Sequence, residues 1–181
     1  MRIVAGRYGG RRLTTPRGDA TRPTSDRVRE ALFSVLGPLD DARVLDLFAG
    51  SGALGLEALS RGARHATFVD SAPAATRAIE ANLTALGVPA DRAGVQRRDV
   101  RAFLRGARAA RHEYDLVLLD PPYRLAAELG RELSPSLREV LASGGRVVTE
   151  SDRRAPLDLD IPLTDERRYG DTLIRIHERT E

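Results

Sequence analysis

The sequence predicts an α/β protein with a mostly parallel, seven-stranded sheet covered by helices and closed by a terminal antiparallel hairpin. From residue 42 onward, short apolar segments alternate with helical segments, which is the pattern of successive βαβ units. These segments are apolar almost throughout, as expected for strands buried on both faces of a parallel sheet. The last two strand segments are separated only by a tight turn, so they are antiparallel.

The individual elements follow in order along the chain. A first helix is predicted after an N-cap at Ser25 or Thr24, with an apolar stripe from Val28 to Leu36 and an end at Gly37. Strands are predicted at residues 44–48, 66–69, 94–96, 116–119 and 146–149, and helices between them at 53–60, 74–86, 101–109 and 126–141. The closing hairpin turns at Gly170-Asp171.

Positive charge is concentrated at the start of the chain. Residues 1–30 hold eight arginines and three acidic residues, whereas the rest hold 21 arginines and 23 acidic residues. Arginine makes bidentate contacts to phosphate, so residues 1–23 are predicted to form a basic arm or hairpin that contacts a polyanion. Residues 24–181 are predicted to form the main domain. We expect Tyr8 to stack on a base and the domain to be stable without the arm. A solvated basic tail is the alternative.

Several classes of protein are disfavoured by composition. The chain has no cysteine and its three histidines are scattered, so neither a disulfide framework nor a metal site is predicted. It has no apolar run long enough to span a membrane and no signal-peptide pattern at its N-terminus. We therefore expect a cytoplasmic protein with no membrane partner.

Four aspartates stand where the first four predicted strands end: Asp46, Asp70, Asp99 and Asp120. In an open parallel sheet, ligands bind beyond the carboxyl ends of the strands. One such aspartate could simply cap a helix, but four around one crevice would repel each other. They indicate a ligand that offers hydroxyl groups, amines and positive charge.

A glycine-rich loop, residues 50–55, follows the first strand and satisfies the pattern G-x-G-x-x-G. Together with Asp70, about 20 residues on, this pattern also fits a dinucleotide enzyme. Asp46 disfavours that interpretation because it would lie near a pyrophosphate. Asp120-Pro121-Pro122-Tyr123 disfavours it too, because nicotinamide chemistry does not need such a motif. The predicted ligand is S-adenosylmethionine, a nucleoside with a charged amino-acid tail.

These motifs resemble a known family. Residues 44–55 resemble the cofactor loop of class I S-adenosylmethionine methyltransferases, which have a Rossmann-like fold, and the Asp-Pro-Pro-Tyr motif resembles that of enzymes methylating exocyclic amines. Residues 2–6, 10–13, 22–33 and 169–172 resemble the RsmD family, which methylates guanine N2 in 16S ribosomal RNA. The resemblance covers nearly the whole chain.

The resemblance implies roles for individual residues. The implied cofactor-binding residues are Asp46, Phe48, Gly50, Ser51, Gly52, Asp70, Asp99 and Val100, with Asp70 on the ribose and Asp99 with the Val100 amide on the adenine. Substrate contacts are implied for Arg7, Arg11, Arg12, Arg22, Pro23 and Thr24. The implied catalytic residues are Asp120, Pro121, Pro122 and Tyr123.

The catalytic motif suits a weakly nucleophilic amine. The Asp120 carboxylate and the Pro121 carbonyl can accept its two hydrogens and direct the nitrogen lone pair at the methyl group, while the two prolines hold the acceptors rigidly. Tyr123 is expected to stack on the extruded base. No metal is expected, and the resemblance implies ribosomal RNA as the partner, either free or in an assembling small subunit.

Three rival functions share part of these features. A DNA adenine-N6 methyltransferase would use the same cofactor residues, but the chain has no separate segment for target recognition beyond a short arm. A nicotinamide-dependent oxidoreductase is disfavoured by Asp46 and Asp120. A non-catalytic RNA-binding protein would not need an intact set of site residues.

Overall fold

A seven-stranded mixed sheet forms the centre of the protein in the computed structural model, which describes residues 1–16, 25–122 and 126–180. The strands are β1 (Arg43–Leu47), β2 (His65–Asp70), β3 (Ala93–Arg97), β4 (Tyr114–Leu119), β5 (Leu141–Asp152), β6 (Leu163–Tyr169) and β7 (Thr172–Glu178). Their order is β3-β2-β1-β4-β5-β7-β6. The first five are parallel, and β7 runs antiparallel to both β5 and β6. The predicted fold class is confirmed.

The described residues form five α-helices that flank the sheet: α1 (Asp26–Leu36), α2 (Ala53–Ser60), α3 (Pro73–Leu86), α4 (Val100–Ala109) and α5 (Ala126–Val140). Within the same part of the chain, the buried apolar residues form two clusters. Side chains of α1, α2 and α3 contribute to one cluster, and side chains of α4 and α5 contribute to the other. The central strands β1, β2 and β4 are therefore covered on both faces, which explains their nearly continuous apolar character.

Strand order reverses at β1, which pairs with β2 on one side and with β4 on the other. Consecutive strands move outward from this point in opposite directions, so the loops after β1 and β4 diverge and leave a crevice at the carboxyl edge. The predicted site residues follow these strands. The topology thus places the candidate site at the switch in strand order.

Helices α3 and α4 begin one residue before their predicted starts, and in each case a residue at the helix start explains the difference. Helix α3 begins at Pro73, which is favourable at the first helical position because proline has no N–H to leave unpaired. Helix α4 begins at Val100, because the Asp99 side chain accepts a hydrogen bond from the Ala102 amide at 3.1 Å as N-cap. The predicted cap at Ser25 is confirmed by a 3.3 Å bond from the Val28 amide.

The N-terminal segment, residues 1–16, packs on the domain and is not a free arm. Ile3 is fully buried, and Tyr8 and Leu13 are 6% and 8% exposed within the core cluster of α1–α3. Buried Glu57 of α2 accepts hydrogen bonds from the Val4 and Ala5 amides at 2.7 and 3.0 Å. The expectation that the domain is stable without this segment conflicts with these contacts.

The expectation that Tyr8 stacks on an RNA base is wrong, because its ring lies in the core. The arm was predicted from its charge alone, which does not take account of the apolar residues between the arginines that anchor it in the core. The predicted boundary between residues 1–23 and 24–181 falls on residues 17–24, outside the described part of the chain.

Candidate active site

The glycine loop turns directly after β1 through residues with left-handed backbone conformations. Phe48, Gly50 and Gly52 have φ values of 59°, 56° and 77°. A Cβ on Gly52 would lie 3.1 Å from Ile79 Cγ1 and 3.3 Å from Phe68 Cε1, whereas beside Gly50 the nearest atom is the Phe48 carbonyl oxygen at 4.0 Å. Gly52 therefore allows helix α2 to pack closely, and Gly50 leaves open space for a ligand. Phe48 holds a conformation that non-glycine residues adopt at a cost, which is often found at functional sites.

Asp70 fixes the loop to the end of β2. Its two carboxylate oxygens accept hydrogen bonds from the Gly50 amide at 2.9 Å and from the Ala72 amide at 2.8 Å. A carboxylate offers about four acceptor positions, so two remain for other donors. The residue is half-buried, and its geometry suits a ligand with two neighbouring hydroxyl groups.

Asp46 is 2% exposed and accepts a hydrogen bond from the Gly55 amide at 2.9 Å. A Cβ at Gly55 would lie 2.4 Å from Phe68 Cε1 and 3.0 Å from Asp46 Oδ2, so this approach requires glycine. Burial, supported by the charge of nearby Asp70, raises the pKa of Asp46 to about 8. Asp46 therefore favours the neutral form until a positive charge arrives.

Asp120 follows β4 beside Glu150 of β5, because the parallel register pairs Leu119 with Thr149 directly before them. Glu150 is 3% exposed. Burial raises the pKa of Asp120 well above its ordinary value, and the charges of Glu150 and Asp46 raise it further. We call Asp46, Asp120 and Glu150 the carboxylate cluster.

Glu150 was missed in the sequence analysis. Its signal was nevertheless present, since Glu150 directly follows the predicted fifth strand as Asp70 and Asp120 directly follow the second and fourth. The prediction considered only the first four strands, so this member of the cluster emerged from the register of β4 and β5.

The remaining residues of the predicted cofactor and catalytic sets differ in their surroundings. Asp99 caps α4 and keeps a side chain that is 56% exposed, with an ion pair to Arg101 at 3.7 Å. Val100, the first residue of α4, is buried. Pro121 is buried and Pro122 is exposed. Ser51 is buried in the loop, and Tyr123 lies outside the described residues.

The predicted RNA-contacting arginines occupy the surface of the N-terminal segment. Arg7, Arg11 and Arg12 are exposed. The Arg11 guanidinium donates to the Ala85 carbonyl at 2.7 Å, near the end of α3, so part of its hydrogen-bonding capacity is used within the protein. Arg22, Pro23 and Thr24 belong to the stretch that the structure does not describe.

The carboxylate cluster is suited to a cationic ligand. Burying carboxylates is costly unless opposite charge compensates them, and a ligand with an ammonium and a sulfonium group would provide that compensation. A pyrophosphate would bring no compensating positive charge to the same cluster. Together with the open space at Gly50 and the free acceptor positions of Asp70, these features fit S-adenosylmethionine and do not fit a nicotinamide dinucleotide.

Neither a candidate metal-binding cluster nor a membrane-spanning helix occurs in the described ranges. Residues 1–16, 25–122 and 126–180 contain no group of three or more His, Asp or Glu side chains arranged to hold a metal ion. Among the helices described in the structure, none is long and apolar enough to cross a membrane.

Proteins of similar sequence include ribosomal RNA methyltransferases. A Bacillus subtilis (strain 168) protein named "Putative rRNA methyltransferase YlbH" is 37% identical over 183 residues, covering 99% of each chain. Ribosomal RNA small subunit methyltransferase D of Escherichia coli (strain K12) is 44% identical over 125 residues, which are 68% of this chain and 61% of that protein.

Solved structures show the same fold over the full chain. A hypothetical protein from Thermus thermophilus is 34% identical with a TM-score of 0.85, and the match covers 99% of each chain. A protein described as "Putative methyltransferase yhhF" from Escherichia coli is 36% identical with a TM-score of 0.82, covering 99% of this chain and 98% of that one. A family model described as "Conserved hypothetical protein 95" matches residues 1–178. The chain therefore belongs to this family, the RsmD family that its motifs resemble.

Proposed function

We propose that the protein is an S-adenosylmethionine-dependent methyltransferase that modifies the exocyclic N2 of a guanine in small-subunit ribosomal RNA. The observation that carries this proposal is the carboxylate cluster at the switch in strand order, in which Asp46 and Glu150 are buried and Asp120 is half-buried, and which favours a cationic ligand beside Asp120. The relatives named as ribosomal RNA methyltransferases support the substrate class. The substrate is free RNA or an assembling subunit in the cytoplasm.

The glycine loop and the residues at the strand ends each bind a different part of the cofactor. S-adenosylmethionine supplies a methyl group activated by a sulfonium. The Gly50 and Gly52 backbone leaves room for the ligand, Asp46 compensates its positive end, and Asp70 accepts from ribose hydroxyls. Asp99 and the Val100 amide face the adenine in this proposal.

Asp120 and Pro121 bind and orient the target amine. The Asp120 carboxylate and the Pro121 carbonyl accept the two amine hydrogens, so that the nitrogen lone pair is no longer delocalised into the ring and points along the transfer direction. A cation nearby favours the ionised form of Asp120, because it offsets the repulsion from Glu150 and Asp46 that raises the pKa of Asp120. Catalysis is then mainly a matter of orientation. Tyr123 stacks on the base in this proposal.

The test combines product identification with one substitution. Small-subunit RNA is incubated with methyl-labelled cofactor, and the digested nucleosides are separated; N2-methylguanosine is expected. Asp120→Ala should lower kcat by roughly 10²–10³, as loss of one preorganised hydrogen-bonding group does, and should leave S-adenosylhomocysteine affinity within a few-fold of wild type. N6-methyladenine, formed in a parallel incubation with DNA, would instead support the rival methyltransferase. Loss of cofactor binding in a folded Asp120→Ala protein would contradict the assigned role.

A further inference from the structure

Asn82 of helix α3 connects the N-terminal segment to the glycine loop. It is 2% exposed and lies outside every residue set assigned above. Its Oδ1 accepts a hydrogen bond from the Thr14 amide at 2.7 Å, and its Nδ2 donates to the Thr14 carbonyl at 2.9 Å and to the Ser51 carbonyl at 3.0 Å. A single buried amide thus holds both backbone groups of Thr14 and one carbonyl of the loop.

The N-terminal segment reaches the loop at a second point. Ser51 Oγ donates to Met1 Sδ at 3.5 Å, and the Leu13 amide donates to the Met1 carbonyl at 3.1 Å. The two ends of the segment are therefore joined to each other and to Ser51. Elsewhere the segment is held by α2, through Glu57 and through Ser60, whose hydroxyl accepts from the Tyr8 amide at 2.9 Å.

These contacts divide into two independent anchors. Glu57 and Ser60 hold the segment without touching the glycine loop. Asn82 holds the N-terminal segment and the glycine loop at the same time, so removing its side chain releases a loop carbonyl as well as Thr14. Because Ser51 lies between Gly50 and Gly52, a shift of its carbonyl moves the backbone that faces the ligand.

We infer that Asn82 is a positioning residue through which docking of the N-terminal segment and binding of the cofactor support each other. This rests on the proposed function, since it assigns the ligand of the loop to S-adenosylmethionine. Linkage is reciprocal. If the docked segment orders Ser51 for the cofactor, the bound cofactor must in turn hold the segment more firmly on the domain.

The test measures S-adenosylhomocysteine affinity by calorimetry and amide hydrogen exchange by mass spectrometry. Asn82→Ala should weaken binding about three- to tenfold, the range expected for loss of one hydrogen bond that orders a buried loop. Ser60→Ala is the matched control, since it removes hydrogen bonds of the segment and leaves the loop untouched. It should lower the melting temperature and keep wild-type affinity within about twofold, because the loop hydrogen bond of Asn82 is retained.

Hydrogen exchange separates positioning from general destabilisation. In wild type and Ser60→Ala, S-adenosylhomocysteine should slow exchange in residues 10–16 as well as in the loop. In Asn82→Ala it should protect the loop alone. Asn82→Ser keeps one polar group but has a single donor and cannot make all three of these hydrogen bonds, so it serves if the alanine variant does not fold.

Equal behaviour of the Asn82 and Ser60 variants in both measurements would overturn the inference while leaving the proposed function intact. A wild-type protein that binds no S-adenosylhomocysteine would instead overturn the proposed function, and with it the coupling.

Discussion

The pH dependence of cofactor binding should report the buried carboxyl group of Asp46. Its pKa of about 8 in the ligand-free protein means that about 1 in 100 molecules is ionised at this position at pH 6. A cationic ligand binds preferentially to the ionised form and lowers the pKa, so binding releases a proton. Affinity should therefore rise about tenfold per pH unit between pH 6 and 8 from this group, and level off above the ligand-free pKa.

The assay is isothermal titration with S-adenosylhomocysteine, which retains the ammonium group, at several pH values and in buffers of different ionisation enthalpy. Asp46→Asn removes the titrating group, so the slope of log K against pH should fall by about one, and one fewer proton should be released. Asp41→Asn, which changes an exposed carboxylate just before the other end of β1, should keep the wild-type slope. Equal slopes in wild type and Asp46→Asn would refute the role of Asp46 in charge compensation.

Two further predictions concern the N-terminal segment. Ile3→Ala removes a fully buried side chain and should destabilise the domain by about 2–5 kcal/mol, measured as a lower midpoint of urea unfolding; an unchanged midpoint would show that the segment does not contribute to the fold. The double variant Arg7→Gln/Arg12→Gln changes only exposed side chains, so the midpoint should stay unchanged while the slope of log K against log salt for RNA binding flattens by about 1.4–1.8. An unchanged slope would place the RNA contact elsewhere on the protein.

The elements were predictable because their signals are local. Helix α2 begins and ends at the predicted residues, 53 and 60, since the glycine loop before it and the apolar pattern within it are both visible in the sequence. The hairpin of β6 and β7 turns at Gly170, whose φ of 63° suits glycine. In contrast, β5 extends over Leu141–Asp152, well beyond the predicted four residues. Leu141 pairs with Tyr114 of β4 at one end and pairing with β7 continues to Asp152 at the other, and both pairings join distant parts of the chain.

The candidate site was predictable only as far as strand ends could be recognised. Asp46, Asp70 and Asp120 do lie at the carboxyl edge, as the predicted strands required. The identity of Glu150 as a neighbour of Asp120 depended on the register between β4 and β5. The role of Asn82 depended on contacts to residues 68 and 31 positions away. Single-sequence patterns carry no information on such pairs.

The sequence by itself determined the fold class, the order of the elements, the glycine loop and the carboxylates that end the first strands. These follow from backbone preferences and from apolar periodicity, which act over a few neighbouring residues. Tertiary structure decided that the basic segment is part of the core, and that Asp46 and Asp120 lie where burial and neighbouring carboxylates raise their pKa values. Those properties depend on which groups are excluded from water together, and that is settled only when distant segments pack against each other.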